Sequence, residues 1–216
     1  MTVTSQPSGN RRLPLLLLLI ALAIAGAIAL SVYVSNFFLG REPSVRTSVG
    51  GPFRLPSSKG GLLSSADLKG KPFAIFFGFT HCPDVCPTTL WDMSQSLERL
   101  RAGGLGLPVL FVSLDPARDT PQVLASYIDA FDTQIVGLSG TSDEIAKLAR
   151  AYRVYWKRVS GKDGDYTLDH TATVYLMDAR GQFAGTIGYG EEASSRDDKL
   201  RRLIAGEPSA VGHSGS

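Results

Sequence analysis

Between Arg12 and Arg41 the chain carries no charged residue, and residues 13–34, "LPLLLLLIALAIAGAIALSVYV", are apolar almost throughout. A run of this length matches the ~20 residues that cross a bilayer as a helix. The expectation is an uncleaved transmembrane signal anchor over residues 13–34, preceded by a short tail over residues 1–12. A cleaved signal peptide is the rival reading, because Ala27, Ile28 and Ala29 resemble a cleavage site. The apolar run, however, is longer than the ~7–15 residues of a signal h-region and continues past that point. Flanking charge does not orient the span, since Arg11 and Arg12 before it are matched by Arg41, Arg46 and Arg54 after it. The tail lacks the extended Arg- and Ser-rich pattern of an organelle transit peptide, which favours a bacterial inner-membrane protein.

Beyond the apolar run the 216-residue chain has room for one sizeable domain. A net charge of +2, with both signs interspersed, gives no support for nucleic-acid binding. After a linker over residues 35–50, β-type apolar runs fall at 72–79, 108–114, 135–139, 171–178 and 183–189. Helical patterns lie between and after them, at 87–100, 121–131, 141–152 and 194–204. Pro87 reads as a first helical residue, and Thr141 with Glu144 forms a Thr-x-x-Glu capping box. This alternation predicts an α/β fold with a central sheet over residues 51–205. The last two strands, joined by "DARGQ", read as an antiparallel hairpin, so the sheet is mixed. Residues 206–216 have the small polar composition of a disordered tail.

Both cysteines of the chain lie in "FFGFTHCPDVCPTTL", residues 76–90, between a buried-type strand and a helix. Cys86 beside Pro87 sits near a helix start, where unpaired backbone N–H groups favour a thiolate, so a lowered thiol pKa is expected there. On a regular helix Cβ atoms four residues apart are ~5–6 Å apart, wider than the ~3.5–4.5 Å of a disulfide. A loop at Cys82 would allow the disulfide; the wider spacing suits two thiolates on one soft metal ion. An inert pair or a simple staple is the structural alternative.

Two thiolates leave most metal sites incomplete, and the chain has three histidines: His81, His170 and His213. His170 is the strongest third donor, because it opens the β-type run "TATVYLMD" and a sheet can bring strand ends together. His81 adjoins Cys82 but is read as pointing elsewhere, and His213 falls in the polar tail. Two thiolates and one imidazole match copper, whereas structural zinc takes a fourth protein ligand. Asp84 is a possible oxygen donor, its ordinary role being a solvated loop carboxylate.

With these residues in view the sequence resembles the Sco/SenC family of membrane-anchored, thioredoxin-like copper proteins that take part in cytochrome c oxidase assembly. The resemblance covers about residues 50–205 and rests on "DLKGKP" (67–72), "FFGFTHCPDVCPTTL", "VSLDPARDTP" (112–121), "YRVY" (152–155) and "DGDYTLDHTATVYLMD" (163–178). It implies a thioredoxin-like fold, an N-terminal hairpin within residues 51–68, and an inserted element ahead of the hairpin pair. It also implies copper, one ion per chain, on Cys82, Cys86 and His170, in a domain facing the periplasm or the mitochondrial intermembrane space. Asp115, Arg118 and Asp119 lie in one of the matching motifs and are read as an ion pair or helix start as readily as partner contacts.

The leading function is a metallochaperone that delivers copper to the binuclear copper A centre of oxidase subunit II. The alternative is a thiol:disulfide reductase acting on the cysteines of that centre through a reversible Cys82–Cys86 disulfide. Other periplasmic copper carriers or thiol-disulfide proteins are further candidate partners. A thiol peroxidase is a minor alternative: "VCPTT" is similar to the reactive segment of peroxiredoxins, but those place threonine three residues before the cysteine, where Pro83 stands here.

Overall fold

The computed structural model describes residues 12–39, 49–132, 134–161 and 165–207. Two units are distinct, residues 1–46 and residues 47–216. The described part of the first is one helix, α1 (Arg12–Leu39), 28 residues long. Its described large side chains, Leu17, Ile20, Leu22, Ile24, Ile28, Leu30 and Tyr33, are all exposed. The side chains described along α1 form an interrupted run, and among the described residues no helix is long and apolar enough to cross a membrane.

The second unit opens with the hairpin β1 (Arg54–Pro56) and β2 (Leu62–Ser64), within the segment where the resemblance implies one. A 3₁₀ turn, Ser65–Leu68, then leads into β3 (Phe73–Gly78). β3 is followed by α2 (Val85–Ala102), β4 (Val109–Ser113), α3 (Pro121–Ile128), β5 (Ile135–Leu138) and α4 (Ser142–Ala151). The chain continues through β6 (Trp156–Ser160), β7 (Tyr166–His170), β8 (Thr173–Met177) and β9 (Phe183–Gly188) to α5 (Ala193–Ala205). The main sheet has the order β5-β4-β3-β8-β9. β3, β4 and β5 are parallel, and β8 and β9 are antiparallel additions on the other side. This is a mixed α/β fold, consistent with the thioredoxin-like arrangement.

β3 is central, and its composition explains why. Ala74 and Phe76 enter one core with Leu90, Met93 and Leu97 of α2 and Leu200 of α5. Phe73, Ile75 and Phe77 enter the other with Ile145 and Leu148 of α4 and Leu55 of β1. A strand buried on both faces reads as a continuous apolar run rather than an alternation, and "FAIFFG" is one. The parallel strands β3 and β4 both end toward the same edge of the sheet, where the chain turns into α2 and α3; functional groups gather at such an edge.

Two sequence expectations change. α2 starts at Val85 with Asp84 as its N-cap, so Cys86 and Pro87 are its second and third residues. Proline is accommodated there because first-turn N–H groups have no intrahelical partner. β6 and β7 form a separate two-stranded sheet that the apolar patterning did not show. His170 ends β7 rather than opening β8.

Candidate metal centre

Cys82 lies in the turn that follows β3, its amide donating to the Phe79 carbonyl at 3.2 Å. Cys86, fully buried in the first turn of α2, directs its backbone N–H at Cys82 Sγ, 3.4 Å away. The free amides at the helix start therefore serve the first cysteine rather than the second. His170 arrives from β7 with Nε2 3.4 Å from Cys86 Sγ. Its Nδ1 stands 3.0 Å from the Thr171 carbonyl oxygen, an acceptor only. Nδ1 accordingly carries a proton, and Nε2 is the ring nitrogen turned to the cysteines. Phe79 packs against the imidazole edge-on at 5.7 Å.

The two thiols divide the proton unequally. The Cys82 thiol is held far below its ordinary value, at about 4: a hydrogen bond from Cys86 is the main cause, opposed by burial and aided by His170 and by the amides of Cys86 and Asp84. Cys86 moves the other way, raised by its hydrogen bond to Cys82, by burial and by the charge on Cys82. Of the two, Cys82 is the more thiolate-like sulfur and Cys86 the one that keeps its proton longer. The expected lowering at Cys86 falls instead on Cys82, chiefly because the Cys86 side chain hydrogen-bonds to it, with the helix-start amides adding to the effect. Both cysteines stand as free thiols.

One ligand atom each from Cys82, Cys86 and His170 lies within 4.8 Å of the others. For a three-coordinate ion with bonds of ~2.3 Å to sulfur and ~2.0 Å to nitrogen, as in zinc sites, planar geometry spaces the sulfurs ~4.0 Å apart and puts sulfur ~3.7 Å from nitrogen. The 3.4 Å between His170 Nε2 and Cys86 Sγ, and the 4.8 Å limit on all three separations, bracket those spacings. The donors are soft sulfur and borderline nitrogen, the set that suits copper.

The remaining candidates stand apart. His81 is exposed, with Nδ1 3.1 Å from Thr80 Oγ1 and 4.0 Å from Asp119. Asp84 is exposed at the N-cap, where it accepts a 3.4 Å hydrogen bond from Thr88 Oγ1. His213 lies outside the described residues.

The family model described as SCO1/SenC matches residues 41–205. The chain belongs to the SCO1/SenC family. The human "Protein SCO1 homolog, mitochondrial" is 41% identical over 160 residues, which cover 71% of this chain and 53% of that protein. The chain thus spans about half the length of curated relatives such as this one and the Arabidopsis thaliana SCO1 homolog 1, covered to 48%. Bradyrhizobium japonicum ScoI, solved with copper bound, is 44% identical, with a TM-score of 0.68 over 73% of this chain and 100% of that one. BsSco, described as a member of the Sco family of cytochrome c oxidase assembly proteins with a disulfide switch, shares the fold at 21% identity.

The structure of this Sco/SenC member adds residues that sequence reasoning did not assign to the site. Fully buried Asp119 accepts hydrogen bonds from Thr80 N at 3.0 Å, Thr80 Oγ1 at 2.6 Å and Ser113 Oγ at 2.6 Å. It thereby clamps the loop two residues ahead of Cys82. Asp115 pairs with Arg118 and also accepts from the Tyr166 hydroxyl at 2.7 Å. Arg118 and Asp119 were visible as motif residues; Thr80 and Tyr166 carried no signal of their own, because their partners are distant in sequence.

Proposed function

We propose that the protein is a copper metallochaperone of cytochrome c oxidase assembly, which carries one copper ion on Cys82, Cys86 and His170 and delivers it to the copper A centre of oxidase subunit II. The single observation that supports this most is the convergence of two thiol sulfurs and one free imidazole nitrogen within 4.8 Å. The family membership, and the copper-bound Bradyrhizobium relative, support copper as the cargo. Copper supplies no chemistry to the carrier itself; it is what is transferred. Cys82, lowered, gives up its proton the more readily, while Cys86, raised, has the more tightly held proton to lose when the ion enters. The Thr171 carbonyl keeps the imidazole turned to the ion through Nδ1. Partly buried Cys82 is the donor through which an incoming thiolate of the acceptor would share the ion.

A second reading is favoured by the same thiolate–thiol pair. As a reductase, the Cys82 thiolate attacks a disulfide of the acceptor protein and forms a mixed disulfide, releasing the first acceptor thiolate. Cys86 then loses its proton and attacks Cys82 Sγ. The second acceptor thiolate leaves, so the acceptor gains two electrons and Cys82–Cys86 becomes a disulfide. His170→Ala separates the two, because a reductase needs the thiols and a carrier also needs the imidazole. In the full chain, copper affinity should fall at least ~10–100-fold while thiol exchange continues. Oxidase assembly persisting under limiting copper in that variant would favour the reductase; unchanged affinity would remove His170 from the site.

The same proposal includes a membrane anchor over residues 13–34 within α1, linked through residues 35–50 to a domain over residues 51–205 that works outside the inner membrane, with residues 206–216 as a tail. What supports the anchor is the sequence: residues 13–34 carry no charge, and at ~1.5 Å per residue a helical run of that length matches the ~30 Å hydrocarbon core. A bacterial periplasm is the preferred compartment and the mitochondrial intermembrane space its counterpart. Alkaline phosphatase fused after Ser216 should be active; activity only from a cytoplasmic reporter there would refute the orientation.

A further inference from the structure

The third donor sits on an element that the main sheet does not hold. β6 and β7 pair only with each other, and four of the five residues of β6 are exposed. The base of the hairpin is closed on itself, Thr171 N donating to the Tyr155 carbonyl and Tyr155 N to Thr171 Oγ1, each at 3.0 Å. Among the described residues, the hydrogen bonds that join the hairpin to the rest of the domain, apart from Cys86–His170, run through Asp115 or Arg118. Arg118 Nη1 donates to the Tyr166 carbonyl at 3.1 Å and to Asp165 at 3.3 Å, and the Tyr166 hydroxyl donates to Asp115 at 2.7 Å.

The Tyr166 ring is itself enclosed. The Arg118 guanidinium carbon lies 3.7 Å from its centroid and that of Arg158 lies 3.5 Å away. Arg158 is opposite Leu168 in the hairpin register, and Tyr166, Leu168 and His170 share one face of β7 by strand alternation. A ring held between two cations on the face that carries His170 fixes the direction of that face. The other end of the same short segment, Asp119, grips Thr80 next to the cysteine loop.

We propose that residues 115–119 form a bracket that sets the distance between the cysteine loop and His170, and that Tyr166 is the positioning residue through which the bracket holds the imidazole. Asp119 fixes one end of the donor triangle through Thr80; Asp115 and Arg118 fix the other through Tyr166, four residues before His170. Tyr166 touches none of the donors and acts through the strand. This inference deepens the proposed copper site and rests on that reading for its metal-binding consequence alone.

The test uses the full chain in detergent, with Tyr166→Leu and Tyr166→Phe made alone and in a His170→Ala background. In the copper-free protein, Tyr166→Leu should raise amide hydrogen exchange across residues 166–170 by ~10-fold or more while β3 and β4 keep their protection. Cu(I) affinity, measured by competition with a chromophoric chelator, should fall ~10-fold, the lower end of the loss seen when groups that orient metal ligands are removed. Tyr166→Phe, which keeps the ring between the guanidiniums, should lose less. With His170 already absent, Tyr166→Leu should cause no further loss. Equal losses in both backgrounds, or unchanged affinity and exchange in Tyr166→Leu, would overturn the bracket. If the parent chain takes up no copper, the copper reading fails and the exchange measurement alone decides the bracket. Should Tyr166→Leu not fold, Arg118→Lys carries the same comparison, since an ammonium lacks the planar fork and its stacking.

Discussion

Gly78→Ala adds one methyl group at the end of β3, directly against the metal centre. A Cβ there would lie 2.7 Å from Cys86 Sγ and 2.7 Å from Phe111 Cε2. Non-bonded heavy atoms rest at ~3.5–4.0 Å, so the methyl is short of space by ~1 Å on two sides. Neither neighbour can turn to solvent. Cys86 and Phe111 are fully buried, and Phe111 is packed against Phe76 and Tyr127 with ring centroids 5.9 Å away in each case. Overpacking of this kind costs about 1–3 kcal/mol. A shift of the thiol by even half of the ~1 Å shortfall is large beside its 3.4 Å separation from His170 Nε2. Copper affinity should therefore fall by ~10-fold or more, as for other changes that misplace a ligand.

Gly137→Ala separates packing from site geometry. Its Cβ would meet Ile128 Cδ1 at 2.7 Å and Leu124 Cβ at 2.8 Å, an equal crowding at β5 and α3. Thermal unfolding of the reduced, copper-free chain should show both variants destabilised, and Cu(I) competition should show a weakened site only in Gly78→Ala. The reasoning is refuted if Gly78→Ala keeps its affinity within about twofold while losing stability on the scale of overpacking, or if Gly137→Ala loses affinity to the same degree.

Three further outcomes follow from the same geometry. Anaerobic loading should give one copper per chain and slow alkylation of both cysteines, read by mass spectrometry; equal alkylation with and without copper would remove the thiols from the site. Asp119→Asn should release the Thr80 clamp, raising hydrogen exchange at residues 80–82 while the α5 amides stay protected, and unchanged exchange there would show the clamp to be dispensable. At the far side of the domain, burial raises the Asp197 carboxyl, but hydrogen bonds from Arg99 and Ser96 outweigh it and leave it below the ordinary value. Its stabilising effect is therefore present above the unfolded value near ~4 and is lost as pH falls through the lower folded value. Asp197→Asn should cost about 1 kcal/mol at neutral pH, discounted because Arg99 is 41% exposed. The difference from the parent should vanish in acid, and a gap that persists below pH ~3 would point to packing instead.

The central fold was legible because its forces are local in sequence. Each strand of the five-stranded sheet announces itself by an apolar run, and the Thr141–Glu144 box marks the start of α4 by bonds that span three residues. The hairpin β6–β7 was not legible. "WKRVS" has no apolar alternation and "YTLDH" alternates over only five residues without an apolar run, since the hairpin stands outside the main sheet and keeps most of β6 exposed. Its ordering combines charge and ring stacking between residues 47 and 48 positions apart, at Arg118–Asp165 and Arg118–Tyr166, with the packing of Trp156 and Leu168 on the core.

The same division runs through the candidate site. Cys82 and Cys86 share a loop and a helix start, so their proximity could be read from spacing, whereas the hydrogen bond between the two side chains, which lowers Cys82 and raises Cys86, could not. His170 is 84 residues from Cys86, and chemistry alone nominated it. Its strand is held by Tyr166 on Asp115 and Arg118, by Leu168 against the core and by Phe79 against the imidazole itself. A donor on a hairpin that stands outside the main sheet can be repositioned without unfolding the domain, whereas the two sulfurs sit where the core begins. For the proposed copper carrier, the imidazole is then the ligand whose hold is easiest to change. Comparing hydrogen exchange of residues 166–170 with and without Cu(I) would measure that hold directly: protection gained on loading should be confined to this strand and the 115–119 segment, and protection spread evenly over β3, β4 and α2 would contradict a locally held imidazole.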